Sequence, residues 1–394
     1  MKKLISFILF IFVLLSGIAP VYANSPEEPE VNALGAVLMD AETGRILWGK
    51  NEKQPLAMAS TTKIMTAIIA LEKGNLNDTV TISKKAAAAP KVHMHLAAGE
   101  EIKLEFLLYA LMLESFNDSA VAIAEHVAGS TEEFCRLMTD KARELGALDT
   151  VFETPNGLDQ GEHHSTAYDL ALIARYALEN EKFMEIINTP SITVSSNKRS
   201  YTLNNKDRLL REYQGANGIK TGFTGKAGHC FVGAAKRDGM QLISVVLGSG
   251  WGNKGREQKW KDTKALLNYG FTTFKYKDII TQGNTAESVS IDRSKTPEVK
   301  LAYKEGLMLP LSDDEAKMIR VEISAPDMIM APVKEGDTLG TARVFIGSTL
   351  CKEIPLLAEA SAERHDLKTS MEKIIDEWLE LGTNQDIDLI LPEF

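Results

Sequence analysis

The chain has 394 residues, 44% of them hydrophobic, and a formal net charge of −10. That length is enough for two domains. An acidic chain without a basic cluster excludes nucleic acid as a partner, because that affinity comes from neutralising phosphates.

Lys2 and Lys3 precede an apolar run from Leu4 to Leu15, and Val21-Tyr22-Ala23 offers a small-residue cleavage site. These are the three regions of a secretory signal peptide over residues 1–23. The run falls short of the ~20 apolar residues that a membrane span requires. The mature chain then begins at Asn24, is exported to the extracytoplasmic side, and carries −12 once Lys2 and Lys3 are lost. Cys135, Cys230 and Cys351 are too few and too scattered for a disulfide framework or a zinc site and read as buried, inert thiols.

From Ala33 to Lys50 apolar residues alternate on both sides of Glu42-Thr43-Gly44, the pattern of a β-hairpin. Helical patterns follow: the segment from Ser60 to Gly74, then 100–115, then 118–129, which stops at a glycine. Another starts near Ser130 or Thr131, either of which can cap it, and one spans 164–180 with Thr166 and Asp169 in a capping-box relation. Strand signals resume at "GIKTGF", "HCFVGAAK" and "MQLISVVLG", the last two joined by the turn Asp238-Gly239. A helix, "GREQKWKDTKALLNYGF", closes this region near residue 272. The order predicts an α+β fold, an antiparallel sheet flanked by helical clusters, over 24–275. Short alternating runs over 280–360 predict a small, separate all-β domain. From 366 to 394 the chain is an acidic tail in which Leu367, Met371, Ile374, Ile375, Trp378 and Leu381 follow helical spacing.

Chemistry enters at "AMASTTKIMTA", residues 57–67, where Ser60 and Lys63 lie one turn apart on one face of an apolar segment. Buried polar groups cost free energy unless satisfied, so the pair has a structural partner or a task. Ser-x-x-Lys alone decides little, since Ser195…Lys198 and Ser370…Lys373 repeat it in a polar run and in the tail. Two further elements follow in order: Ser115-Phe116-Asn117 between two helices, and Lys220-Thr221-Gly222 at the start of the strand region. Ser-x-x-Lys, Ser-x-Asn and Lys-Thr-Gly, in that order, are the motifs of serine β-lactamases and penicillin-binding proteins.

On these motifs, and on "LMDAETGRILWGKNEKQPLAMASTTKIMTA", "TPNGLD" and "GIKTGFTGKAGHC", the sequence resembles the serine-type D-alanyl-D-alanine carboxypeptidases, the low-molecular-mass penicillin-binding proteins. The likeness runs from about residue 30 to 360. It implies a β-lactamase/transpeptidase-like fold and removal of the last D-alanine from peptidoglycan stem peptides. It also implies inhibition by β-lactam antibiotics and no cofactor or metal. Carried over residue by residue, Ser60 is the nucleophile, Lys63 its base, Ser115 the proton relay, and Asn117 a ligand for the substrate's backbone amide. Lys220 and Thr221 hold the terminal carboxylate along a strand that includes Gly222. Ser60 and Phe223 supply oxyanion N–H groups, and Arg256 matches a family arginine near the carboxylate.

Phe116 is bulky where the family has a small residue and is expected to crowd the cleft mouth. His93-x-His95 and His163-His164 have no third ligand at a defined spacing and read as surface histidines. Family members dock on membranes through an amphipathic C-terminal helix, but this tail carries eight acidic residues against Lys368 and Lys373, a net −6. Anionic lipid repels it, although Trp378 and the isoleucines can insert. Two alternatives stay open: a class A-like β-lactamase, for which no Glu-x-x-Leu-Asn pattern follows Asn117, and a non-hydrolytic penicillin or muropeptide sensor.

Overall fold

The computed structural model describes residues 27–365 together with 368, 371, 372, 374–376, 378 and 379. The leader, Leu367, Ser370, Lys373 and Leu381 lie outside the described residues. The chain forms two compact units that divide between Thr272 and Thr273.

The first unit opens with the hairpin β1 (Gly35–Asp40) and β2 (Ile46–Lys50). Two short ribbons follow, β3 (Thr79–Thr81) with β4 (Glu101–Lys103) and β5 (Ser191–Ser195) with β6 (Ser200–Asn204). Three longer strands close it: β7 (Ala216–Thr224), β8 (Gly228–Arg237) and β9 (Met240–Leu247). The main sheet is five-stranded, in the order β2-β1-β9-β8-β7, with every pairing antiparallel. Asp238 and Gly239 both take positive φ, 48° and 84°, as the tight hairpin turn between β8 and β9 requires.

All six residues of β1 are buried, because helices cover both faces of the sheet. The helix Ala167–Leu178 packs on β1 and β9. The helix Gly252–Thr273 lies against Leu38, Leu242 and Phe231; its Gly270 has no side chain because a Cβ there would meet Leu242 Cδ1 at 2.5 Å and Leu38 Cδ2 at 2.9 Å. The helix Lys63–Lys73 is buried at every position from Lys63 to Ala70, which explains a sequence apolar on all sides.

Caps set the boundaries. Ser130 Oγ accepts from Glu133 N at 3.1 Å to start the helix Thr131–Glu144, just after Gly129 ends the previous one at φ 80°. Thr166 Oγ1 accepts from Asp169 N at 3.0 Å in the same way.

The 100–115 segment departs from the expected helix. Glu101–Lys103 is strand, Leu104–Tyr109 is helix, and Ala110–Glu114 widens into a π-helical turn. Ile102 pairs with Val80 in the ribbon, a long-range choice that helical periodicity does not register. Cys135 and Cys230 are buried, with burial pushing both thiols up to about 12. Cys351 corrects the expectation of three buried thiols, for it is exposed on a strand of the second unit.

The second unit has its own core around Val289, Leu301, Val344, Ile354 and Leu356. Its strands are β10 (Lys275–Ile280), β11 (Thr285–Asp292), β12 (Glu298–Tyr303), β13 (Leu307–Leu311), β14 (Ile319–Ser324), β15 (Met328–Met330), β16 (Thr338–Ile346) and β17 (Thr349–Ala358). Six of them form the sheet β14-β16-β17-β12-β11-β15, while β10 pairs with β13. In the tail, Met371, Ile374, Ile375 and Trp378 are exposed. Among the described residues no helix is long and apolar enough to cross a membrane.

Candidate active site

Ser60 sits in a 3-10 turn, Ala59–Thr62, that runs into the helix Lys63–Lys73. Two threonines hold the turn: Thr61 Oγ1 donates to Met58 O at 2.6 Å and Thr62 Oγ1 to Ala59 O at 2.8 Å. Ala59 takes φ 51°, a left-handed conformation that costs an L-residue ~1 kcal/mol or more and that the surrounding structure must enforce.

Lys63 is fully buried, and its Nζ has three neighbours: Ser60 Oγ at 2.9 Å, Asn117 Oδ1 at 2.8 Å and Asn156 O at 2.6 Å. The last two are carbonyl oxygens and can only accept. A neutral amine has two N–H bonds to give them and keeps one lone pair that can take the proton of the Ser60 hydroxyl, which otherwise donates to Asn156 O at 3.4 Å. Burial first, and then the charge of Lys220, hold the Lys63 amine well below its ordinary value, with Asp118 opposing.

Asn117 is locked in orientation. Its Nδ2 donates to Pro90 O at 3.1 Å and Lys91 O at 2.9 Å, and its backbone N–H donates to Val92 O at 2.7 Å. Both amide hydrogens are committed, and the side chain is buried and does not line the cleft. Next to it, Asp118 accepts from Met94 N and Leu96 N and pins the loop that carries Val92 to the cleft edge. Ser115 follows the π-helical turn with φ 66°, and its Oγ has no hydrogen-bond partner among the described residues. Phe116 corrects the expectation of a crowded mouth: it is half-buried against the hydrophobic core and is not a lining residue.

Strand β7 forms the opposite wall. At Gly222 a Cβ would stand 3.0 Å from Ser60 N and 3.1 Å from Met58 O, so glycine lets the strand approach the nucleophile's backbone. Thr221 and Phe223 line the cleft, and the Phe223 ring, half exposed, stacks on His229 at 4.4 Å. Lys220 is buried, and burial with the charge of Lys259 pushes its amine down to about 7, against Asp207 and Glu114. Arg256, exposed on the helix Gly252–Thr273, reaches the same cleft. The cleft has a volume of about 860 Å³ and brings together Ser60, Ser115, Thr221, Gly222, Phe223 and Arg256. Lys63, Asn117 and Lys220 are buried behind this surface.

The family profile for D-alanyl-D-alanine carboxypeptidase matches residues 22–250. This chain belongs to the D-alanyl-D-alanine carboxypeptidase family. A second profile, the C-terminal domain of penicillin-binding protein 5, matches residues 274–364. The D-alanyl-D-alanine carboxypeptidase DacF of Bacillus subtilis is 31% identical over 389 residues, covering 96% of this chain and 99% of the relative. Among solved structures, the D-alanyl-D-alanine carboxypeptidase DacD of Francisella tularensis superposes with a TM-score of 0.72 at 26% identity, covering 89% of this chain and 98% of that one. Penicillin-binding protein 5 of Haemophilus influenzae gives 0.72 and 26% over 88% of this chain and 100% of that one.

Several residues of this carboxypeptidase-family site escape sequence reasoning. Asn156 acts through its main-chain carbonyl, and a carbonyl has no residue identity to read. Gly157, at φ 85°, is pressed against Ala59 O. The motif "TPNGLD" marks the turn but not what it touches. Of the other Ser-x-x-Lys pairs, Ser195 is exposed at the end of the ribbon strand β5, and Ser370…Lys373 lies outside the described residues.

His163 overturns the surface reading. It is 3% exposed, its Nε2 lies 2.9 Å from Thr62 Oγ1, and its Nδ1 accepts from Glu153 N at 3.0 Å, so it braces the nucleophile's turn. Among the described residues no group of three or more His, Cys, Asp or Glu is placed to hold a metal ion. Burial, with His164, Lys226 and Lys63 adding, pushes His163 from 6.5 down to about 4. Above 6.5 the ring is neutral in both states and there is no linkage. As pH falls from 6.5 to about 4 the unfolded chain takes up a proton that the folded one refuses, so stability drops by up to ~3 kcal/mol. Urea unfolding across that window should show the loss, and His163→Gln should flatten it; equal slopes in both proteins would remove His163 as the cause.

Proposed function

We propose that this chain is an exported serine D-alanyl-D-alanine carboxypeptidase that removes the terminal D-alanine from peptidoglycan pentapeptide stems. The observation that carries the reading is the buried Lys63 amine 2.9 Å from the hydroxyl of Ser60 at a cleft. A serine hydroxyl is a weak nucleophile until an adjacent base takes its proton, and a lysine is such a base only when its amine is neutral.

In the proposed reaction Lys63 takes the Ser60 proton while Ser60 Oγ bonds to the carbonyl carbon of the penultimate D-alanine. The backbone N–H groups of Ser60 and Phe223 face the oxyanion, a contribution worth ~2.7–4 kcal/mol per donor. The proton passes from Lys63 through Ser115, whose hydroxyl has no competing partner, to the departing amine, and D-alanine leaves. Water then attacks the Ser60 ester, returns the proton to Ser60 and frees the shortened peptide. Thr221, Arg256 and the Lys220 charge hold the terminal carboxylate. Asn117 is a positioning residue in this scheme: its donors are spent on Pro90 and Lys91, so it orients Lys63 rather than the substrate amide. Penicillin acylates the same Ser60. The first 23 residues direct export, and the tail rests on the membrane through Trp378 and its isoleucines.

Intact-mass spectrometry of residues 24–394 with benzylpenicillin tests this. A single lasting adduct on Ser60, absent in Ser60→Ala, and D-alanine release from an acyl-D-Ala-D-Ala peptide are expected. An adduct that vanishes within seconds while penicillin is consumed would indicate a β-lactamase. A lasting adduct without D-alanine release would indicate a sensor.

A further inference from the structure

Among the described residues of the first unit, only two Phe, Tyr or Trp side chains are exposed: Phe223 at 50% and Trp251 at 49%. Both stand at one end of the cleft, where β7 turns into β8. A lone exposed apolar side chain is ordinary, but two aromatics together beside a substrate cleft mark a binding surface. Neither ring is loose. Phe223 stacks on His229 with ring centroids 4.4 Å apart. Trp251 Nε1 donates to Gly225 O in the turn at 2.8 Å. Its indole lies on Gly228, where a Cβ would meet Trp251 Cε2 at 3.1 Å. His229 joins the two rings: it pairs with Phe223 across the strands, and it bonds to both neighbours of Trp251. Its backbone N–H donates to Gly250 O at 2.9 Å, and its Nε2 lies 3.0 Å from Gly252 O. Each aromatic is thus backed by protein on one side and open on the other.

The proposed reaction puts the terminal carboxylate at Thr221 and the oxyanion at the Phe223 N–H. The acyl part of the stem therefore runs on along β7, past Thr224 to the turn. Four stem residues precede the leaving D-alanine and span ~13–14 Å when extended. From Phe223 to the turn at Gly225 and Lys226 is ~7–10 Å of strand, so the sugar end of the stem reaches these rings. The stem's own side chains offer the rings little, being methyl groups, a carboxylate and the polar end of a diamino acid. The N-acetylmuramic acid from which the stem hangs offers more. One face of its pyranose ring is a patch of C–H bonds, which suits the negative face of an aromatic ring. Lys226, exposed in the same turn and without an ion pair among the described residues, has N–H donors for hydroxyl and acetamido oxygens.

We infer that Trp251 and Phe223 form an aromatic platform for the glycan of the substrate, stacking the sugar next to the stem and favouring sugar-linked over free pentapeptide. The inference rests on the carboxypeptidase reading of the Ser60 cleft, which sets the direction of the stem along β7.

The test is calorimetric binding of two ligands to the mature chain carrying Ser60→Ala. One is free pentapeptide; the other is the same peptide on an N-acetylglucosamine–N-acetylmuramic acid disaccharide. The sugar-linked ligand should bind about three- to tenfold more tightly, the scale of an aromatic contact. Trp251→Ala should bring the two Kd values together, and Trp251→Tyr, which keeps a ring face, should hold most of the difference. With Ser60 intact, the same ratio should appear in KM for D-alanine release, with kcat alike for the two substrates. Equal Kd values for the two ligands with Trp251 in place overturn the inference, as does a sugar preference that Trp251→Ala leaves standing. If Trp251→Ala weakens both ligands equally, the indole serves the stem peptide or the turn, and the sugar contact is wrong. A Ser60 chain that releases no D-alanine and forms no penicillin adduct, while the sugar preference in binding persists, would instead fail the Ser60 reading.

Discussion

Lys63→Met should slow acylation of Ser60 by benzylpenicillin ~10²–10⁴-fold, the scale of a positioned general base, in stopped-flow or timed intact-mass measurements. Methionine keeps the apolar volume of the helix face but has no lone pair for the Ser60 proton. Lys63→Arg should be as inactive, because a guanidinium stays protonated and cannot act as a base. The pH profile gives an independent check. Burial and Lys220 hold the Lys63 amine below its ordinary value, so the active, neutral form is lost as pH falls through that depressed pKa, and acylation declines on the acid side. Removing the neighbouring charge with Lys220→Met lets the Lys63 pKa rise, so the acid limb should shift to higher pH. A Lys63→Met protein that acylates at the normal rate, or an acid limb unmoved by Lys220→Met, would assign the proton transfer to another group.

Gly157→Ala should be the most damaging single methyl in the first unit. Gly157 has φ 85°, and an added Cβ would lie 2.0 Å from Ala59 O and 2.9 Å from Ser60 N. Alanine in a left-handed conformation already costs ~1–2 kcal/mol. The overlap with backbone atoms cannot be relieved by a side-chain rotation, so the Ser60 turn and the Asn156 carbonyl must separate. A loss of ~3–5 kcal/mol follows, with acylation at least ~10²-fold slower because the reacting groups shift by about 1 Å. Gly99→Ala is the matched control: it has φ 73° but open space around the added Cβ. It should cost only the conformational penalty and leave acylation unchanged. Thermal melts and adduct rates on both proteins decide the matter, and equal behaviour of the pair would mean that the Gly157 contact does not support the nucleophile.

The legible parts of this protein were those whose physics is local. Ser60 and Lys63 are three residues apart, and their meeting at 2.9 Å follows from one turn of helix. The β8–β9 hairpin follows from Asp238-Gly239, whose conformations a two-residue turn demands. The ribbon at Glu101–Lys103 was not legible, because alternating Ile102 and Leu104 also suit a helix, and only Val80, 22 positions earlier, decides between them. His163 looked like one of a surface pair until the fold closed over it beside Thr62. Phe116 seemed destined for the cleft mouth, yet the π-helical turn before it directs the ring to the core.

By itself the sequence determined the reagents: a serine, an amine and a glycine-bearing strand in an order that chance seldom supplies, and the elements that carry them. Tertiary structure decided how they work. It buried Lys63 and Lys220, which lowers the pKa of both amines, spent the Asn117 donors on Pro90 and Lys91, and brought an Asn156 carbonyl to within 2.6 Å of Lys63. Desolvation and long-range contact belong to the folded surface as a whole, and main-chain carbonyls look alike in every residue, so no spacing along the chain encodes them.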